Sequence, residues 1–162
     1  MTKNEKFQQI WHKYEAEHGH HPSGTREAVD RAIEEGLLEE PKIDPRDILA
    51  SQMAAALREE METDAKGQRY RVNHAVRITQ AGVQFTFWAS MGFAPHDHME
   101  RAFAQRREQI VGDNLQLKID VDVYNDMNRG KRPEIQLVLD YSDDVAEKQQ
   151  MLKIPPKSAD AA

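Results

Sequence analysis

Alternate residues between Arg69 and Ser90 carry cationic, amide and aromatic side chains that are suited to binding a polyanion. In a β-strand, every second residue points to the same face of the sheet. Two runs of such alternation flank Gly82, and a glycine in a short connection is typical of a hairpin. Burial requires the apolar positions of both runs to share one face. The opposite face is therefore predicted to carry Arg69, Arg71, Asn73, Arg77, Gln84, Thr86 and Trp88.

The side chains on this predicted face match different parts of a nucleic acid. Arginine pairs with phosphate through two hydrogen bonds, and the amides of Asn73 and Gln84 suit base edges. The Trp88 ring can stack on a base. The alternative is that another element covers the face, with Trp88 in the core and the arginines paired to carboxylates. In the binding interpretation, the surface is extended by Arg101, Arg106 and Arg107.

The charge distribution supports a local basic surface and argues against a general nucleic-acid coat. The net charge is -6 over 162 residues. Residues 66–110 hold 7 Lys and Arg against 3 Asp and Glu, whereas residues 1–65 hold 8 against 15 and residues 111–162 hold 7 against 10. A sequence-independent phosphate binder needs a concentrated positive footprint. Only the middle segment supplies one, so DNA or RNA is the partner predicted for that segment.

Length and composition predict a cytoplasmic protein. A chain of 162 residues can bury the core of one domain of ordinary size. The chain has no cysteine, which removes disulfides, thiolate catalysis and Cys-ligated zinc from consideration. No apolar run approaches the roughly 18 residues of a membrane span, and the N-terminus lacks the apolar stretch of a signal peptide. We expect neither a membrane partner nor a cofactor.

Apolar spacing predicts an α+β fold with one domain over residues 1–141. After Ser142 the apolar pattern fades, so residues 142–162 are predicted to form a mobile tail. The predicted elements are helices over residues 4–18, 25–36 and 45–63, a hairpin over residues 69–90, a long helix over residues 95–125 and a strand over residues 134–140.

Three helices before a hairpin also match the order of a winged-helix domain, whose last helix enters the major groove. The third predicted helix carries Arg46 and Arg58. It also carries Asp47, Glu59 and other acidic residues, which would be repelled by a polyanion. The hairpin is therefore the better candidate for nucleic acid.

Residues 113–125 are open to two interpretations. Apolar residues from Leu115 to Val123 alternate with polar ones, as they do in a strand. Leu117 and Tyr124, at seven-residue spacing, instead continue a helical stripe.

Two segments of the chain resemble an uncharacterised family of small bacterial proteins. They are residues 67–76, with the sequence GQRYRVNHAV, and residues 104–113, with the sequence AQRREQIVGD. The resemblance implies one continuous helix over residues 95–125, because the alternation does not persist in that family whereas the helical stripe does. It implies no activity, substrate or site.

Histidines occur in two places with side chains that can ligate a divalent metal. Their spacing is not diagnostic, and solvated or helix-capping histidines are the alternative. The first candidate set is His74, His96, Asp97 and His98, and the second is His18, His20 and His21.

Two functions compete with nucleic-acid binding. A protein-interaction module, which binds either a second copy of itself or another protein, is suggested by the heptad-like spacing of Phe103, Ile110, Leu117 and Tyr124. A metal-dependent enzyme would use the first histidine set. Enzyme function is the less expected of the two, because the sequence has neither a nucleophile elbow nor a Gly-rich phosphate loop.

Overall fold

The structure is a computed structural model that describes residues 1–20 and 22–153. These residues form an α+β fold, as predicted, and the chain divides into two compact units, Met1–Ala56 and Leu57–Ala162. The prediction of one domain over residues 1–141 stays a prediction. The helices are α1 (Lys3–His18), α2 (Thr25–Glu34), α3 (Pro45–Glu59), α4 (His96–Met127) and α5 (Ser142–Lys153). The strands are β1 (Met61–Thr63), β2 (Arg69–Arg71), β3 (Asn73–Gln80) and β4 (Val83–Ser90).

In the first unit, α1 and α2 contact each other around the buried side chain of Tyr14. The Tyr14 hydroxyl donates a hydrogen bond of 2.9 Å to Glu27, and Lys13 lies 2.6 Å from Glu35. Gly36 has a φ of +69° and follows the last turn of α2. Its left-handed conformation ends the helix, as the sequence predicted.

A short hairpin follows α3 and shortens the predicted helix over residues 45–63. Residues of β1 pair with β2 in antiparallel register, with Met61 opposite Arg71. The turn between them is held by Asp64, whose carboxylate accepts hydrogen bonds from the backbone N–H groups of Lys66 and Gln68 at 2.9 and 2.8 Å. Gly67 completes the turn with a φ of +78°. This turn reverses the direction of the chain, so residues 61–63 pair with residues 69–71 as a strand and do not continue the helix.

The predicted hairpin over residues 69–90 forms two separate strand pairings. Residues of β2 pair with β1, and the longer strand β3 pairs with β4. Val72 lies between them and hydrogen bonds to Glu60 on one side and to Met91 on the other. The connection from β3 to β4 is the two-residue turn Ala81–Gly82, in which both residues have positive φ. Such a turn matches the twist of a tight antiparallel hairpin.

The long helix α4 continues through Gly112 to Met127, which confirms the helical interpretation of residues 113–125. At 1.5 Å per residue it is about 48 Å long. Its N-terminal half lies against β3, where Met99 and Ala102 are buried together with Val76. The alternation from Leu115 to Val123 produces no strand.

The chain after α4 differs from prediction at two places. Residues 134–140 form no strand; instead the amide side chain of Asn125 makes two hydrogen bonds of 2.9 Å to the backbone of Ile135. The hydroxyl of Tyr141 donates to Asn114 at 3.1 Å. This segment is therefore tied to α4, which explains why it does not extend the hairpin. Of the predicted mobile tail over residues 142–162, residues up to Lys153 form α5, and the rest lies outside the described residues.

Candidate nucleic-acid interface

The register of β3 and β4 decides which side chains share a face. Thr86 lies opposite Arg77, Trp88 opposite Ala75, and Gln84 opposite Thr79. Directly opposed residues in an antiparallel pair project to the same side of the sheet. Arg77, Gln84, Thr86 and Trp88 therefore share one face with Asn73, as the alternation predicted, while His74 and Val76 project to the other face.

A groove of about 700 Å³ lies over this face, and a volume of this size falls within the usual range for ligand sites. Its cationic lining residues come from four different elements and are Arg58, Arg71, Arg77 and Arg106. Trp88 and Thr86 contribute from β4, and Glu108 is the acidic residue at the groove. The groove therefore combines an excess of positive charge with one aromatic ring.

The groove arginines are not neutralised by carboxylates. Within residues 1–20 and 22–153, no ion pair joins Arg58, Arg71, Arg77 or Arg106 to an Asp or Glu. The carboxylate of Glu108 lies 3.3 Å from Arg107, which is not a groove residue. Of the predicted arginines, Arg107 thus pairs with a carboxylate, whereas Arg71, Arg77 and Arg106 make no such pair within the described residues.

Arg58 and Trp88 form the aromatic end of the groove. The Arg58 guanidinium lies 5.3 Å from the centroid of the Trp88 ring, which is a cation–π distance. Trp88 is half-buried rather than a core residue. Sequence reasoning assigned Arg58 to an acidic helix and missed its place here, because the short β1–β2 hairpin that returns the chain from α3 to β3 was not foreseen.

Gln105 fixes α4 beside the groove. Its side-chain amide donates to the Arg77 carbonyl and accepts from the Arg77 N–H, at 2.8 Å in each case. This contact explains how Arg106, on α4, lines the same groove as Arg77, on β3. No pattern in the sequence points to Gln105, since an isolated glutamine on a helix is usually solvated.

Several predicted residues have other positions or partners. Arg69 belongs to β2 and does not line the groove, nor do Arg101 and Arg107 on α4. The side-chain nitrogen of Asn73 donates to Glu60 at 2.6 Å and to the Leu57 carbonyl at 3.3 Å. These bonds hold β3 against the end of α3, and Asn73 also lines the groove; its recognition of bases stays a prediction.

The histidines have separate environments. His74 is buried, with its ring nitrogen 2.9 Å from the Arg71 carbonyl and its ring edge-on to Phe103. His98 contacts the His74 carbonyl at 3.0 Å, whereas His96 is exposed and lies 3.3 Å from Glu100.

These separate contacts leave the first histidine set unassembled as a metal centre. Over the described parts of the chain, no group of three or more His, Asp or Glu side chains is arranged to hold a metal ion. In the second predicted set, His18 stacks on Tyr14 and its ring nitrogen lies 3.0 Å from the Tyr14 carbonyl. His21 of that set lies outside the described residues.

Comparison with known proteins returns no matching family model, no matching curated protein and no matching solved structure. In the part of the chain that the structure describes, no helix is both long enough and apolar enough to cross a bilayer.

Proposed function

We propose that this chain is a small nucleic-acid-associated protein of the cytoplasm, which binds a single strand of DNA or RNA in the groove over β3 and β4. The observation that carries the proposal is that four arginines line the same groove as Trp88 and have no carboxylate partner among the described residues. Such a cluster creates a local positive potential in a chain whose net charge is -6, and a local positive potential attracts anionic ligands.

The groove chemistry favours a single strand over a duplex. Guanidinium groups pair with backbone phosphates, and an aromatic ring stacks on an unpaired base whatever its identity. Trp88 and Arg77 project from the same face of the hairpin, so a strand lying along β4 would meet both. A closed duplex offers no unstacked base to the ring.

Fluorescence anisotropy with labelled single-stranded DNA, RNA and duplex DNA tests this function. We expect binding that weakens with salt, with a log–log slope of about -3 if four phosphates are neutralised on a single strand. The double variant Arg71→Glu/Arg77→Glu should abolish the binding. The matched control is Arg69→Glu/Arg101→Glu, which makes the same change of charge outside the groove.

Equal losses in the two double variants would contradict the proposed site, because they would show a response to net charge alone. Absence of binding by the unaltered chain at low salt would contradict the function itself.

A second candidate function, a protein-interaction module, is favoured by the exposed apolar residues of α4. Ile110 and Leu117 from the predicted heptad stripe are 51% and 44% exposed, and Leu115 is 61% exposed on another side of the helix. Helices in folded domains usually bury such residues against a partner. Replacing Ile110 and Leu117 with Gln should convert an assembly to monomers by light scattering if this stripe is the contact surface.

A further inference from the structure

Among the described residues, no strand pairs with the outer edge of β4. Arg77 directs its N–H and C=O away from β4, to Gln105. Directly opposed antiparallel residues exchange either both backbone hydrogen bonds or neither. The Arg77–Thr86 pair is therefore a pair that exchanges neither, so Thr86 points its own N–H and C=O away from β3. By the period of two, Gln84 and Trp88 do the same.

The composition of β4 lacks the residue types that prevent a further strand from pairing with an edge. Its eight residues, VQFTFWAS, contain no charge, no proline and no glycine. Natural proteins usually blunt exposed edges with charged residues, proline or a bulge. Phe85 and Phe87 are 43% and 53% exposed on the apolar face of this strand. The edge thus offers both backbone hydrogen bonds and apolar side chains to an incoming strand.

The opposite edge of the hairpin is closed to pairing. The side chain of Gln105 hydrogen bonds to the backbone N–H and C=O of Arg77, and α4 packs against β3. Any sheet extension must therefore use β4. A strand that pairs with its own copy is self-complementary, and because the other edge is blocked the assembly closes at two copies instead of growing into a filament.

From these observations we infer that β4 pairs antiparallel with β4 of a second copy of this chain, which creates a four-stranded sheet with the order β3–β4–β4–β3. The edge is uncharged, so no like-charge repulsion opposes its self-pairing. With Thr86 on the twofold axis, the outward-pointing residues Gln84 and Trp88 face each other, and about six backbone hydrogen bonds form across the axis.

This register also pairs Phe85 of one copy with Phe87 of the other, twice. Aromatic cross-strand pairs stabilise antiparallel sheets. On the other face, the two arginine-lined grooves come to lie on the same side of one sheet. The inference does not rest on what the groove binds, because the edge would pair in the absence of any ligand.

Cysteine cross-linking of the full chain tests this inference directly, since the protein contains no cysteine of its own. Across the proposed axis, the two Thr86 Cα atoms would be about 5.5 Å apart. That separation lies within the range of roughly 4.4–6.8 Å that a disulfide spans. Thr86→Cys should form a covalent dimer under mild oxidation at least several-fold faster than the matched control Thr79→Cys, an exposed threonine on β3 that lies away from the proposed axis.

Light scattering gives the second measurement. The unaltered chain, of 18.6 kDa, should scatter as a species of twice that mass at tens of micromolar. Thr86→Pro removes an N–H that points away from β3, so it should produce a monomer and leave the hairpin formed. Thr79→Pro, made on the blocked side of the hairpin, should remain a dimer.

Three outcomes would overturn the inference. The first is a strict monomer at this concentration with equal cross-linking of the two cysteine variants. The second is a dimer that survives Thr86→Pro while Thr86→Cys fails to cross-link, which would move the contact to another surface such as α4. The third is equal loss of the dimer in both proline variants.

Discussion

Gln105 forms two hydrogen bonds of 2.8 Å with the backbone of Arg77, and so behaves as a one-residue strand at the edge of β3. Asn125, farther along the same helix, likewise forms two hydrogen bonds of 2.9 Å with the backbone of Ile135. Both contacts satisfy extended backbone that has no strand neighbour on that side. The helix α4 thus organises the second unit through carboxamides as well as through apolar contacts.

Replacing Gln105 with Ala should destabilise the chain and weaken the groove. The variant loses two hydrogen bonds, each of which contributes about 0.5–1.5 kcal/mol net, so we expect the free energy of unfolding in urea to fall by about 1–3 kcal/mol. The groove consequence follows because Arg106 is held beside Arg77 by this contact. Oligonucleotide affinity should therefore fall in Gln105→Ala, measured by anisotropy under conditions where both chains are folded.

Gln109 supplies the matched control for this change. It lines the same groove from the same helix, and no hydrogen bond of its side chain is seen within the described residues. Gln109→Ala should stay within about 0.5 kcal/mol of the unaltered chain, as surface substitutions usually do. A loss in Gln109→Ala as large as that in Gln105→Ala would contradict the role assigned to the Gln105–Arg77 contact.

Local sequence pattern predicted most of the elements, and the failures have a common physical cause. The start of α3 at Pro45 and the tight connection at Gly82 follow from local chemistry, and the sequence predicts both. The strand character of residues 61–63 and the strand predicted over residues 134–140 depend on which distant segment offers a partner. Alternation of apolar and polar residues does not distinguish a segment that pairs with a strand, such as β1, from one whose backbone bonds to a side-chain amide on a helix, such as Ile135 with Asn125.

The candidate site was predictable for the same reasons and within the same limits. Alternation placed Arg77, Thr86 and Trp88 on one face, because the register of a tight hairpin is set locally. Sequence reasoning missed Arg58 and did not foresee that Arg69 lies outside the groove, since the position of each depends on how β1 and β2 return the chain to β3. The groove therefore depends partly on the locally set register of the hairpin and partly on tertiary contacts that bring other elements beside it.

Trp88 should report the bound strand by its fluorescence. The chain has two tryptophans, so the variant Trp11→Phe leaves Trp88 as the single emitter. Stacking on a base should quench its emission on titration with single-stranded DNA or RNA. Trp88→Ala should weaken binding by roughly 10-fold or more, within the 1–3 kcal/mol that one base stack contributes, and Trp88→Phe should recover part of the loss because it keeps a ring.

The control for this prediction is Trp11→Phe, which alters a residue of α1 and should leave the affinity unchanged. A stacking contact would be contradicted if the emission of Trp88 were quenched by the nucleic acid while Trp88→Ala bound it as tightly as the unaltered chain. Equal affinities of the Ala and Phe variants, both below that of the unaltered chain, would assign Trp88 to supporting the hairpin rather than contacting a base.

The ion pair between Lys13 and Glu35 should make the first unit sensitive to pH at both extremes. The hydrogen bond from Lys13 holds the pKa of Glu35 below its ordinary value of 4.5. The same bond raises the pKa of Lys13 above its ordinary 10.5. A lowered carboxyl pKa contributes stability above the ordinary value, which is lost as the pH falls below it. A raised ammonium pKa contributes stability that is lost as the pH rises above 10.5.

The expected result is that Glu35→Gln lowers the thermal midpoint of the first unit at pH 7 and lowers it less at pH 3, because the contribution of the Glu35 charge is lost progressively as the pH falls below 4.5. Trp11 fluorescence measures this midpoint, because the Trp11 ring stacks on Tyr14 between the two helices, in a chain whose Trp88 is replaced with Phe. The matched control is Glu34→Gln, one residue earlier, for which no ion pair is seen within the described residues. An equal decrease at pH 3 and pH 7 would mean that Glu35 acts through packing and not through its charge.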